Sequence, residues 1–158
     1  MSRVTVAYFS RTGTTEQVAT DLASTLDGPS VHRIRPTRER RYWNWLLRSF
    51  VPGSRVPIEP MVTDVRDADA LFLGSPKWTL SCPPVTEFVN RLQVEGVRTG
   101  LFLTFGGFDE ERYANALADR LEDQGADLRA TLLVKRERVG TPQYDTGLRE
   151  FVDAVVES

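Results

Sequence analysis

The chain has 158 residues, 41% of them hydrophobic and 27% charged, with a net charge of −2, which suits a single domain of ordinary globular composition. Its one cysteine, Cys82, excludes an internal disulfide or a multi-cysteine metal cluster, and its one histidine, His32, argues against a histidine metal site or a Ser–His–Asp triad. No apolar run reaches the ~18–20 residues of a membrane helix, and Met1-Ser2-Arg3 enters a strand pattern directly with no signal-peptide layout, so a cytoplasmic location is expected.

Strand and helix patterns alternate along the chain. Val4–Phe9 reads as a strand and Thr14–Leu26 as a helix stopped by Gly28-Pro29. A short strand follows at Val31–Arg35, then a helical stretch over 38–51 and a proline-rich link from Pro52 to Pro60. Ala70–Gly74 is a continuous apolar run of the kind a buried parallel strand needs. Pro84–Leu92 opens on proline and carries apolar residues at 85, 88, 89 and 92, which predicts a helix. Strands are predicted at Gly100–Phe105 and Ala130–Val134, and helices at Glu110–Gln124 and Thr146–Val156. Five such strand–helix units predict a parallel sheet wrapped on both faces, a doubly wound α/β three-layer sandwich within one domain over 1–158.

The turn after the first strand, Ser10-Arg11-Thr12-Gly13-Thr14-Thr15, has four side-chain hydroxyls in six positions and opens a helix. Backbone N–H groups at a helix N-terminus, with hydroxyls beside them, suit a phosphate. The nucleoside-triphosphate loop G-x-x-x-x-G-K-S/T and the dinucleotide loop G-x-G-x-x-G are both absent, so a monophosphate is the better match. A threonine-rich helix cap without any ligand is the bland alternative.

Ser10, Thr12, Gly13 and Thr15 match all four specified positions of the flavodoxin phosphate loop, S/T-x-T-G-x-T. The chain resembles that family in element order throughout. The resemblance implies sheet order 2-1-3-4-5 and a flavin mononucleotide (FMN) whose phosphate sits on Ser10, Arg11, Thr12, Gly13, Thr14 and Thr15. The switch point of that order falls between the first and third strands, where ligands bind beyond the strand ends. A second loop, Gly74 to Pro84, resembles the G-S/T-P-x-W/Y loop of small bacterial relatives. It implies flavin contacts from Ser75, Pro76, Lys77, Trp78 and Thr79, with the Trp78 indole on or beside the isoalloxazine. A third loop implies contacts from Thr104, Phe105, Gly106, Gly107 and Phe108, the glycines letting backbone approach a flat ring. The chain's length leaves no room for the insertion in the last strand that marks long-chain flavodoxins.

Cys82 invites a phosphatase reading, but that signature needs arginine six positions on, and Phe88 stands there. A phosphoacceptor domain would need aspartate where Leu73-Gly74 ends the third strand. Cys82 is therefore expected to be a neutral thiol and His32 a structural residue, with no catalytic side chain and no metal.

Residues 33–55 hold seven arginines and one acid, a local +6 that leaves −8 for the rest. Within it Trp43, Leu46, Leu47 and Phe50 share a helical face. Packing of that face on the sheet is the bland expectation, while peripheral contact with an anionic membrane through residues 38–50 is another. No nucleic-acid motif accompanies the basic stretch, so nucleic acid is not expected as a partner.

The function expected is a non-covalent FMN protein that passes electrons to a redox partner protein or small-molecule acceptor. Two rivals are an FMN-dependent NAD(P)H:quinone or nitro-compound oxidoreductase, and a flavin-free scaffold of the same fold acting through protein contacts. The complete phosphate loop speaks against the second of these.

Overall fold

The computed structural model describes residues 3–38, 42–51, 55–77, 81–107 and 110–157, excepting the side chains at 42, 43, 45 and 46. Five strands, β1 (Val4–Tyr8), β2 (Ser30–Arg33), β3 (Ala70–Pro76), β4 (Arg98–Phe105) and β5 (Asp127–Lys135), pair in parallel in the order β2-β1-β3-β4-β5. The helices are α1 (Thr14–Ser24), α2 (Tyr42–Ser49), α3 (Pro83–Arg91), α4 (Glu110–Asp123) and α5 (Pro142–Val156), the last preceded by a 3₁₀ turn at Arg136–Arg138. The parallel, doubly wound sheet is what the sequence pattern predicts, and its strand order is the one the family resemblance implies.

Strand side chains alternate between two cores, as a pleated strand requires. Ala7, Leu71, Leu73, Leu101 and Leu103 face α3 and α4, where Val85, Phe88, Tyr113, Leu117 and Leu121 meet them. Val4, Val6, Tyr8, Phe72 and Phe102 face the other way, onto Val18 and Leu22 of α1 and Leu148, Phe151 and Val155 of α5. Phe151 meets Phe72 and Phe102 edge-on, at ring distances of 5.4 and 6.4 Å.

Helix and strand ends differ from the sequence reading by a few residues, each for a local reason. α5 starts at Pro142 rather than Thr146, because Thr141 Oγ1 accepts the Tyr144 N–H at 3.3 Å and Pro142 fits the first turn. β4 and β5 begin at Arg98 and Asp127 rather than at Gly100 and Ala130. Parallel pairing carries these polar edge residues into the ladder, with Arg98 opposite Asp127. The proline-rich link is partly built into the sheet's margin: Pro36 bridges Ile58, and the Glu59 N–H donates to the Arg35 carbonyl at 2.7 Å.

Within the apolar face expected to pack on the sheet, Leu47 and Phe50 are a correction, at 69% and 55% exposed, while the side chains of Trp43 and Leu46 lie outside the described residues. Val56 and Ile58 of the link are buried instead, with Ile34, Ile58 and Val65 filling that side of the core. The C-terminal end of α2 is held by polar bonds: Ser81 Oγ donates to the carbonyls of Ser49 and Val51 at 3.2 and 2.9 Å.

Gly74 is dictated by close packing. A methyl group there would stand 2.2 Å from the Phe102 ring, which lies across β3. Gly74→Ala should therefore lower stability by about 1–3 kcal/mol, as overpacked cores do, read as a lower urea midpoint at unchanged slope. Phe102→Leu in the same chain should recover part of the loss.

Candidate functional site

β1, β3 and β4 end on one edge, and the three predicted loops leave from there. Phe9 N–H donates to the Gly74 carbonyl at 3.1 Å, which ties the first loop's root to the second. Lys77 N–H donates to the Thr104 carbonyl at 2.8 Å, which ties the second to the third. The hydroxyls of Thr15 and Thr104 lie 2.7 Å apart and both residues are buried, so the start of α1 is fastened across β3 to β4. One of these two hydroxyl hydrogens fills the shared bond, and the other is left to donate elsewhere.

Within the first loop, Ser10 is buried and its hydroxyl accepts the Gly13 N–H at 3.1 Å. Arg11, Thr12 and Gly13 are exposed and Thr14 is half-buried. Gly13 is the N-cap of α1 and holds φ +98°, the left-handed region that glycine adopts at least cost. It offers no side chain to cap the helix. The N–H groups of Thr14, Thr15 and Glu16 have no acceptor within the helix, as at any helix start. Backbone donors, a dipole end and the accessible Thr12 and Thr14 hydroxyls together form a donor set that fits a phosphate monoester.

The second loop rests on a buried polar cluster. Ser75 Oγ donates to the Pro76 carbonyl at 2.9 Å, and it lies 3.3 Å from the Tyr113 hydroxyl. Cys82, the N-cap residue of α3, also hydrogen-bonds Ser75 and is fully buried. Burial pushes its thiol up to about 12 against the weaker pull of the bonds to Ser75 and Val85, so the expected neutral thiol is found. Burial likewise raises the Tyr113 hydroxyl well above its usual range, with Cys82 adding to the effect. Ser75 is thus engaged inward, and Pro76 and Lys77 are half-buried at the rim. Trp78 and Thr79 lie outside the described residues.

In the third loop Thr104 is buried, Phe105 half-buried, and Gly106 and Gly107 exposed. Arg136, just past β5, stands beside it: its guanidinium carbon would be 4.0 Å from a methyl group on Gly106. Phe108 is outside the described residues. His32 is half-buried on β2, consistent with the structural role expected of it. Two grooves at the N-terminal edge of the sheet, one beside Thr5, Gly28 and Asp67 and the other beside Asp69, Gly96 and Arg98, contain none of the loop residues.

Three contributors escaped the sequence reading. Arg33 on β2 donates to the Ser10 carbonyl and to Glu16, both at 2.8 Å. Tyr113 is legible only as an apolar position of its helix, and Arg136 sits beyond the last strand. None carries a local motif, because each meets the loops only through the sheet. Burial first, and then the charge of Glu16, raise the Tyr8 hydroxyl, while Arg33 and Arg35 oppose the shift.

With this geometry in view, comparison with known proteins is decisive. The family model described as Flavodoxin matches residues 3–127. The chain belongs to the flavodoxin family. An uncharacterised protein of Archaeoglobus fulgidus is 34% identical over 132 residues, covering 84% of this chain and 85% of its own. Among solved structures, a Bacteroides eggerthii protein superposes with a TM-score of 0.80, full coverage of both chains and 23% identity. A Lactobacillus acidophilus flavoprotein in complex with FMN gives 0.72 at 11% identity, covering 96% of this chain and 99% of that one. Oxidised flavodoxin 2 from Bacillus cereus gives 0.71 at 16%, covering 99% of each. FMN is the cofactor of the family, and the donor set at the end of β1 fits its phosphate. Among the described residues no helix is long and apolar enough to cross a membrane.

Cys82 should resist iodoacetamide in the folded protein at pH ~8 and react on unfolding, since exposure to water returns the thiol to its ordinary ionisation range. The linkage has a definite sign. Above its ordinary 9.0 the unfolded thiol ionises while the folded one stays protonated, so this group's share of stability falls as pH climbs towards about 12. Urea midpoints across that range, compared with Cys82→Ala, measure it.

Proposed function

We propose that this flavodoxin-family chain holds FMN non-covalently at the three-loop edge and carries electrons to a partner protein. The observation that supports this reading best is the Thr15–Thr104 bond at 2.7 Å, which joins the phosphate loop's helix to the strand bearing the third loop. It gives phosphate and ring contacts a common rigid base. When bound, FMN supplies the redox chemistry by accepting and releasing electrons. The chain's own share is binding, shielding and electrostatic tuning.

In this reading the first loop anchors the phosphate through the N–H groups of Thr14, Thr15 and Glu16 and the hydroxyls of Thr12 and Thr14. Trp78 covers one face of the isoalloxazine, excluding water and contributing dispersion. Gly106 and Gly107 bring backbone up to the ring's edge. Lys77 and Arg136, near the ring, would favour a negatively charged reduced flavin, whereas the acids at 109–111 would oppose it.

A protein acceptor is favoured by the exposure of Leu47, Phe50 and Val51, at 69%, 55% and 56%. Ser81 links this apolar patch directly to the second loop. Exposed apolar groups rimmed by charge are the usual make-up of a contact surface.

Titration of apo protein with FMN should quench flavin fluorescence and saturate near one equivalent, with riboflavin binding more weakly. The preference for FMN should shrink as pH falls through ~6, where a phosphate monoester loses its second charge, while riboflavin binding stays level. Absence of quenching with well-folded protein at micromolar concentration would reject the assignment.

Trp78→Ala should weaken FMN by about 1–3 kcal/mol, the scale of aromatic and base stacking, and should also shift the flavin's potentials. Unchanged affinity and potentials would remove Trp78 from the site. Trp43→Ala and Trp45→Ala are the controls.

A further inference from the structure

The helix that would hold the phosphate carries an acid, Glu16, in its first turn. A carboxylate there stabilises the bare helix end but repels a second anion at the same place. Arg33 comes in from β2 and answers this directly. Its Nη1 lies 2.8 Å from Glu16 Oε2, and its Nη2 donates to the Ser10 carbonyl at 2.8 Å. The two side chains are 32% and 44% exposed, so the pair adds little to global stability. The planar guanidinium reaches both acceptors at once, which a lysine ammonium on its flexible stem does poorly. One end of the fork is on the loop and the other on the helix, with the Gly13 cap between them. The Tyr8 hydroxyl lies within the field of Glu16, Arg33 and Arg35.

We infer that Arg33 is a positioning residue for the phosphate. It masks the Glu16 charge and pins the Ser10 carbonyl, so that the N–H groups of Thr14, Thr15 and Glu16 present a net attractive end to a phosphate monoester. The inference rests on the FMN reading and deepens it: preference for the phosphorylated flavin depends on an ion pair outside the loop motif. Glu16 in turn holds the guanidinium in place and restrains its direct pull on the anion. The two substitutions therefore have opposite effects. Losing Arg33 leaves an unmasked carboxylate beside the phosphate, whereas losing Glu16 leaves a cation there.

The test uses the full chain with Arg33→Gln, Arg33→Lys, Glu16→Gln and the Arg33→Gln/Glu16→Gln double variant. Each is titrated with FMN and with riboflavin at low and physiological salt, and its fold is checked by circular dichroism and thermal midpoint. The readout is the ratio of FMN to riboflavin affinity. Arg33→Gln should cut the ratio about tenfold at low salt, and less where salt screens the charges, with riboflavin unaffected. Adding Glu16→Gln should restore most of it, and Arg33→Lys should fall between. Glu16→Gln alone should raise the ratio, which keeps the test decisive even if the Arg33 variants fail to fold. Equal losses for both flavins, no rescue in the double variant, or a lower ratio in Glu16→Gln would overturn the inference. A wild-type chain that binds neither flavin rejects the FMN reading itself. A wild-type chain that prefers FMN, with Arg33→Gln keeping the same preference, rejects only the role of Arg33.

Discussion

Thr104 is the point on which the functional edge depends. Its hydroxyl pairs with Thr15 at 2.7 Å and its carbonyl accepts the Lys77 N–H at 2.8 Å, so one buried residue joins the start of α1, the loop after β3 and the end of β4. The parallel register makes this geometry available. Tyr8 stands opposite Gly74 and Pro76 opposite Thr104, so the three strands run out at nearly the same height. Each polar group left unpaired in such a buried place would cost ~1–3 kcal/mol. A slip of one residue would break both bonds and turn every strand side chain to the wrong face.

Beneath the second loop lies a small polar cluster in an otherwise apolar layer. Ser75, Tyr113 and Cys82 satisfy one another there. The arrangement gives the loop a firm seat and keeps the thiol protonated and inaccessible. A cysteine at a helix N-terminus is often activated by the dipole. Here burial outweighs that effect, because removing a thiolate from water costs more than the helix end returns.

Charge is distributed in a way that bears on partners. The basic stretch at 33–55 contrasts with an otherwise acidic chain; Arg33 lies on β2, Arg48 on α2, and Arg55 pairs with Glu87 of α3 at 3.8 Å. Physiological salt screens exposed charges beyond ~8 Å, so only partners touching this region feel it strongly. Leu47, Phe50 and Val51 stand exposed in the same neighbourhood. Apolar contact and local charge therefore coincide close to the second loop.

The strand and helix order, the two-faced burial of the sheet and the glycine turn that opens α1 were all legible in the sequence. These depend on local patterns: apolar runs such as Ala70–Gly74, the period of α4, and glycine and hydroxyls at a helix start. The sequence also pointed to the neutrality of Cys82, by the missing arginine at Phe88. What it did not contain was any contact made across the sheet. Arg33 on Ser10 and Glu16, Thr15 on Thr104 and Tyr113 on Ser75 join residues 17 to 89 positions apart. No periodicity or motif encodes such pairs, because their distance is set by strand order and register. The exposure of Leu47 and Phe50 was hidden for a related reason. An amphipathic pattern shows that a helix has an apolar face, but only the packed structure decides how far residues such as Leu47 and Phe50 on it are covered.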